Sequence, residues 1–136
     1  MLGSVGGALD YAPANSSVKT AKFLEKQGNI DGSIALCKEI LSKNPNHKAS
    51  IRYLKNLFMS YRKYEDGIKF YKGRMESKID DHKDYADLGE FYYLDGQHDK
   101  ASITWKMGRK KFINNRTYYR SMFSVYSKYG LNTDIN

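Results

Sequence analysis

The chain holds one cysteine, two prolines and one tryptophan. With Cys37 alone no intramolecular disulfide can form, so the fold must rest on a packed core, and the compartment is left open. So few prolines leave long stretches free to run as helix. No apolar run approaches the ~20 residues that a membrane-spanning helix needs. The N-terminus lacks the charged segment and apolar core of a signal peptide, so a soluble chain is expected, with the cytoplasm slightly favoured. Phosphate loops, dinucleotide glycine fingerprints, His-Glu-x-x-His and nucleophile elbows are missing too. No catalysis, no cofactor and no metal site is therefore expected. Acidic residues are in deficit, 15 against 23 Lys and Arg, for a formal net charge of +8. That balance allows attraction to acidic proteins, nucleic acid or an anionic membrane surface.

Two things are present in strength. One is tyrosine, twelve of them in 136 residues, each bringing packing area and a polar edge. The other is a period. Gly28, Arg62, Gly96 and Gly130 lie 34 residues apart, as do Leu24, Phe58, Tyr92 and Tyr126, and as do Cys37, Tyr71 and Trp105. A 34-residue period means stacked helical hairpins, none of which can bury its apolar face alone.

The register gives four units. Residues 1–13 are Gly/Ala-rich and aperiodic, and are expected as a flexible N-terminal tail or an artificial leader. Unit one spans about 14–47. Asn15, Ser16 and Ser17 are candidate caps for its first helix, whose inward face is expected from Phe23 and Leu24, and Gly28-Asn29 ends it. Asp31 is expected to cap the second helix, with Ile34, Cys37, Ile40 and Leu41 as its stripe. Unit two (about 48–81) offers Ile51, Leu54, Leu57 and Phe58, then Ile68, Tyr71 and Met75. Unit three (about 82–115) offers Tyr85, Leu88, Phe91 and Tyr92, then Ala101, Trp105 and Met107, with Gly108 where helices approach closely. A partial unit (116–136) offers Tyr119, Met122, Val125 and Tyr126, after which Asn132, Thr133 and Asp134 read as the cap of another helix.

Lys26-Gln27-Gly28-Asn29-Ile30-Asp31, followed by Ser33, Ile34, Cys37, Ile40 and Asn44-Pro45-Asn46, resembles a tetratricopeptide repeat. Unit three carries the same pattern in Tyr85, Leu88-Gly89, Tyr92, Asp95-Gly96, Ala101 and Trp105. Arg62 stands where a glycine is usual, and Lys55 where a small residue is usual. The resemblance implies an all-α, right-handed helical-hairpin solenoid, a superhelix of three hairpins and a final single helix. It also implies a protein-interaction scaffold that binds a peptide or partner helix in a concave groove lined by the first helices, as part of a larger protein or complex.

By matching positions that groove would present Val18, Lys22, Glu25 and Lys26 from unit one. Unit two would give Arg52, Asn56, Met59 and Ser60, and unit three Lys83, Ala86, Glu90, Tyr93 and Leu94. Arg120 and Ser124 would come from the partial unit. These mixed charges suit a partly apolar ligand with charged ends. Arg52 and Asn56 resemble the start of the carboxylate clamp that some members carry. Asp87, Thr117 and Ser121 depart from it, and an acid there would repel a carboxylate, so no such clamp is expected.

Three further expectations concern surfaces. The basic cluster Lys106, Arg109, Lys110 and Lys111 reads as a solvated helix end, with an anion site as the alternative. Nucleic acid is disfavoured because bases are interspersed with acids, although an RNA- or anion-binding repeat using basic and tyrosine residues remains the competing reading, beside a regulatory domain of a larger enzyme. The last helix carries Tyr118, Tyr119, Met122, Phe123, Val125, Tyr126 and Tyr129 and is expected to show an uncovered aromatic face, with Tyr119, Met122, Val125, Tyr126 and Tyr129 as its association residues. It would serve either the continuation of a longer array or a homodimer through the C-terminal helix.

Overall fold

The computed structural model describes residues 14–131, with side chains from Val18 onward. Seven helices occur among them: α1 (Ala14–Lys26), α2 (Ile30–Lys43), α3 (Lys48–Ser60), α4 (Tyr64–Glu76), α5 (His82–Leu94), α6 (His98–Lys111) and α7 (Arg116–Tyr129). The odd-numbered helices start at residues 14, 48, 82 and 116, the 34-residue register of the sequence. The N-terminal tail and the cap at residues 132–134 lie outside the described residues.

Local chemistry sets the boundaries. Asn29 caps α2 by accepting from the Gly32 N–H at 2.9 Å. This corrects the expectation for Asp31, which lies inside the first turn, where a carboxylate still complements the helix dipole. The His47 imidazole nitrogen Nδ1 caps α3, accepting from the Ser50 N–H at 3.3 Å. Asp81 and Asp84 form a reciprocal capping box on α5. Asn115 Oδ1 accepts from the Tyr118 N–H at 2.9 Å to begin α7. At the turns, Gly28, Gly96 and Gly130 take φ of 84°, 82° and 65°, and Arg62, at the same register position, takes 55°. Three glycines there are free of the Cβ penalty, and Arg62 is not.

The described residues fall into two compact units, divided between Arg62 and Lys63. In the first, α1 and α2 form a hairpin against which α3 packs. Its core is Ala21, Ile34, Leu36, Cys37, Ile40, Leu41, Leu54, Leu57 and Phe58. Ser33 Oγ donates to the Ala21 carbonyl at 2.7 Å. Ala21 and Leu24 are three apart and share the inward side, which turns Phe23 out to 58% exposure, contrary to its expected place in the core.

In the second unit α4 packs on α5, α5 and α6 form a hairpin, and α7 lies against both. The core is aromatic. Tyr71 lies 5.8 Å from Phe91, and Trp105 lies 5.3 Å from Tyr126, ring centre to ring centre. Tyr85 sits 5.6 Å from Phe112. A Cβ on Gly89 would stand 2.0 Å from Trp105 Nε1, and one on Gly108 would meet Tyr118 and Tyr85 at 2.6–2.7 Å, so both glycines mark close crossings. Ala101, Thr104, Trp105 and Gly108 make the buried stripe of α6. Met107 falls beside that stripe and is 52% exposed, a second correction. Arg74 Nε donates to Asp84 Oδ2 at 2.9 Å with both side chains buried.

Candidate binding surface

The first helix of each hairpin turns its apolar stripe inward, which leaves the proposed groove positions on the other side. In the first unit Lys22, Lys26, Arg52, Asn56 and Ser60 are exposed, and Val18, Glu25 and Met59 are half-buried. In the second unit Lys83, Arg120 and Ser124 are exposed, and Tyr93 and Leu94 are half-buried. Two expected groove residues are not surface groups. Ala86 is buried, and its carbonyl accepts from Trp105 Nε1 at 3.2 Å. Glu90 is buried as well. Both sit on the side of α5 that faces its neighbours, because this helix is surrounded by three others, α4, α6 and α7.

The carboxylates of the first helices are held by hydroxyl and cationic groups. Glu25 accepts from the Tyr53 hydroxyl and, at 2.8 Å, from the Tyr61 hydroxyl. Glu90 accepts from Lys128 Nζ at 2.8 Å and from the Tyr129 hydroxyl at 2.5 Å. The Tyr71 hydroxyl donates to Asp87 at 3.1 Å. Burial, then the hydrogen bond to Glu25, pushes the Tyr53 phenol up, and burial followed by Glu90 does the same for Tyr129. The bond to Glu25 is the first cause for Tyr61, which is also raised. These phenols stay protonated and keep donating.

Two aromatic rings on the first helices are already covered. Lys22 Nζ lies 5.9 Å from the centre of the Tyr53 ring. Tyr93 stacks on His98 with centroids 4.4 Å apart and lies 5.1 Å from Tyr129.

The aromatic face expected on α7 is corrected. Tyr118, Met122, Val125 and Tyr126 are buried, because their spacing of four, three and one places them on the stripe facing α5 and α6. Tyr129 is half-buried and held by Glu90. The uncovered residues are Tyr119 and the 64%-exposed Phe123, one turn apart. Phe123, expected on this face, occupies the register position of Gly89. In the basic cluster, Lys111 Nζ is paired with Asp80 at 2.8 Å, while Lys106 and Lys110 are exposed. Cys37 is buried, and burial pushes its thiol up to about 12. Among the described residues no three His, Cys, Asp or Glu are grouped to hold a metal, and no helix is long and apolar enough to cross a membrane.

Solved structures of MamA share this arrangement. MamA MSR-1 matches with a TM-score of 0.51 at 16% identity, over 95% of this chain and 79% of that one. MamA AMB-1 matches with a TM-score of 0.52 at 17% identity, over 95% and 75%. The fold is an all-α helical-hairpin solenoid. At such identities the likeness is one of fold. No protein-family model matches the chain, and no curated protein matches it in sequence.

Proposed function

We propose that the chain is a tetratricopeptide-type interaction scaffold that holds a peptide or a partner helix against its first helices. Its repeats run over about 14–47, 48–81 and 82–115, with a partial one from 116, and it works as part of a larger protein or complex. The supporting observation is the composition of that surface. In the first unit the first helices carry half-buried Val18 and Met59 with exposed Lys22, Lys26, Arg52, Asn56 and Ser60, and in the second they carry half-buried Tyr93 and Leu94 with exposed Lys83 and Arg120. Partly covered apolar side chains rimmed by polar ones are what a peptide-binding surface offers, anchors first and orientation second. Nothing on the surface calls for chemistry on the ligand, so the activity is binding.

The test is selection of binders from a displayed library of random peptides, with the whole protein as bait. Enriched sequences should bind the protein and lose binding to a Met59→Glu, Leu94→Glu variant that still melts cooperatively. Enriched sequences that bind this variant as well as the parent would sink the proposal.

A further inference from the structure

The four carboxylates on the first helices α1, α3, α5 and α7 are Glu25, Asp84, Asp87 and Glu90. None is exposed, and each is occupied within its own unit. Tyrosine hydroxyls hold Glu25, Arg74 holds Asp84, Tyr71 holds Asp87, and Lys128 with Tyr129 holds Glu90. The second helices are the opposite. All six of their carboxylates, Asp31, Glu39, Glu65, Asp66, Glu76 and Asp99, are exposed. Bases show no such retreat: nine of the ten Lys and Arg on the first helices are exposed.

A chain of mixed composition thus shows water a sorted charge. Its second helices present both signs. Its first helices present cations with no exposed acid among them. A carboxylate whose charge is met by phenol hydroxyls is still negative, but it is partly withdrawn from solvent and already solvated by the protein, so it repels an incoming anion less than a free one would.

We infer that the first-helix surface of each unit takes an acidic polypeptide segment, whose carboxylates pair with Lys26 and Arg52 on the first unit and, separately, with Lys83 and Arg120 on the second. This rests on the scaffold reading above and adds the partner's chemistry to it. Charge complementarity carries the assignment. Nucleic acid would supply the same sign of charge, but it gains from stacking bases on open aromatic faces. Among the groove positions the aromatic ring, Tyr93, is stacked on His98, and the nearby Tyr53 ring is capped by Lys22; the open rings of Phe23, Tyr119 and Phe123 are not groove positions. Val18, Met59 and Leu94 instead offer aliphatic contact, which suits side chains of a peptide.

Fluorescence anisotropy with the full chain tests this. The probe is a labelled peptide of about 12 residues made of Glu, Leu and Ala, beside the same peptide with Gln for every Glu. The acidic peptide should bind at least about tenfold tighter and weaken as salt is raised. Lys26→Glu with Arg52→Glu, and Lys83→Glu with Arg120→Glu, should each weaken it several-fold. Lys72→Glu with Lys106→Glu, on the second helices, should leave it unchanged. If the Gln peptide binds equally well, the scaffold reading stands and the acidic assignment falls. If neither peptide binds, both fall. If a single-stranded RNA displaces the acidic peptide and binds more tightly, the polypeptide assignment is wrong.

Discussion

Gly89 and Gly73 both lie inside helices, and the structure gives their replacement by alanine opposite signs. In a helix interior alanine is favoured over glycine by about 1 kcal/mol. At Gly73, on α4, an added Cβ meets nothing within 4 Å, so Gly73→Ala should keep that gain. At Gly89, on α5, the Cβ would stand 2.0 Å from Trp105 Nε1 and 2.5 Å from Cδ1. The indole has nowhere to go. Tyr126 packs on it at 5.3 Å and its N–H is committed to the Ala86 carbonyl. Forcing α5 and α6 apart costs about 1–3 kcal/mol or more in strain. Losing the buried indole hydrogen bond adds about 1 kcal/mol or more. After the helix-propensity gain is subtracted, Gly89→Ala should destabilise by about 2–3 kcal/mol and lower Tm by roughly 10 °C. Thermal denaturation by circular dichroism measures the first quantity. Because Trp105 is the sole tryptophan, its emission reports the crossing directly and should shift to the red in Gly89→Ala alone. A Gly89→Ala protein that melts at or above the parent with unchanged emission would refute the packing argument.

Arg62 holds φ 55° without the freedom of glycine, so Arg62→Gly should raise stability by about 0.5–1 kcal/mol, measured by urea titration; a loss would show that its side chain matters more than its backbone. Gly28→Ala, at the equivalent turn, should cost about 1 kcal/mol by the same method. Cys37, buried and with its thiol pushed up to about 12, should resist a thiol reagent at neutral pH until the chain is unfolded; rapid labelling of the native protein would contradict its place in the core. Burial pushes the Asp84 carboxyl up to about 6 against the pull of the Asp81 N–H and Arg74. The folded chain then holds a proton that the unfolded chain releases, so this group's contribution is full at low pH and is lost as pH rises from the ordinary carboxylate value through about 6. Carbon NMR of the carboxyl checks it, and a midpoint at or below the ordinary value would count against burial as the dominant cause.

Much of the fold is legible in the sequence because the repeat is a packing constraint. The later first helices present large residues inward at one register, so Leu54, Leu88 and Met122 sit at a fixed spacing of 34, and all are buried. Turn glycines are legible for the same reason, since φ near 80° favours one residue type, and the structure then explains Arg62 as a non-glycine kept in that conformation. The exposure of Phe23 and Met107 was not legible. Each is apolar and close to the stripe, and a helix carries a residue 100° round from a buried one as readily as the buried one itself. Whether such a residue is covered depends on how many neighbours surround its helix, which a pattern within one helix does not contain. The same limit explains Ala86 and Glu90, groove positions by register but enclosed because α5 has helices on three sides.

The charge of the surface was hidden for a different reason. A count of Lys, Arg, Asp and Glu along α1 and α5 gives a mixed face, and a mixed face argues for a ligand with both signs. The count treats every carboxylate as free. Glu25 is bonded by hydroxyls 28 and 36 residues away, and Glu90 by groups 38 and 39 residues away. In both, the partner comes from the next first helix, so stacking one repeat on another is itself what occupies the acids. Tyrosine serves this purpose well: it fills the gap between hairpins with its ring and reaches the carboxylate with its hydroxyl, at no cost in added charge. The tyrosines that hold these acids and the surplus of exposed cations on the first helices then belong to one arrangement, in which folding withdraws one sign of charge from a surface and leaves the other exposed.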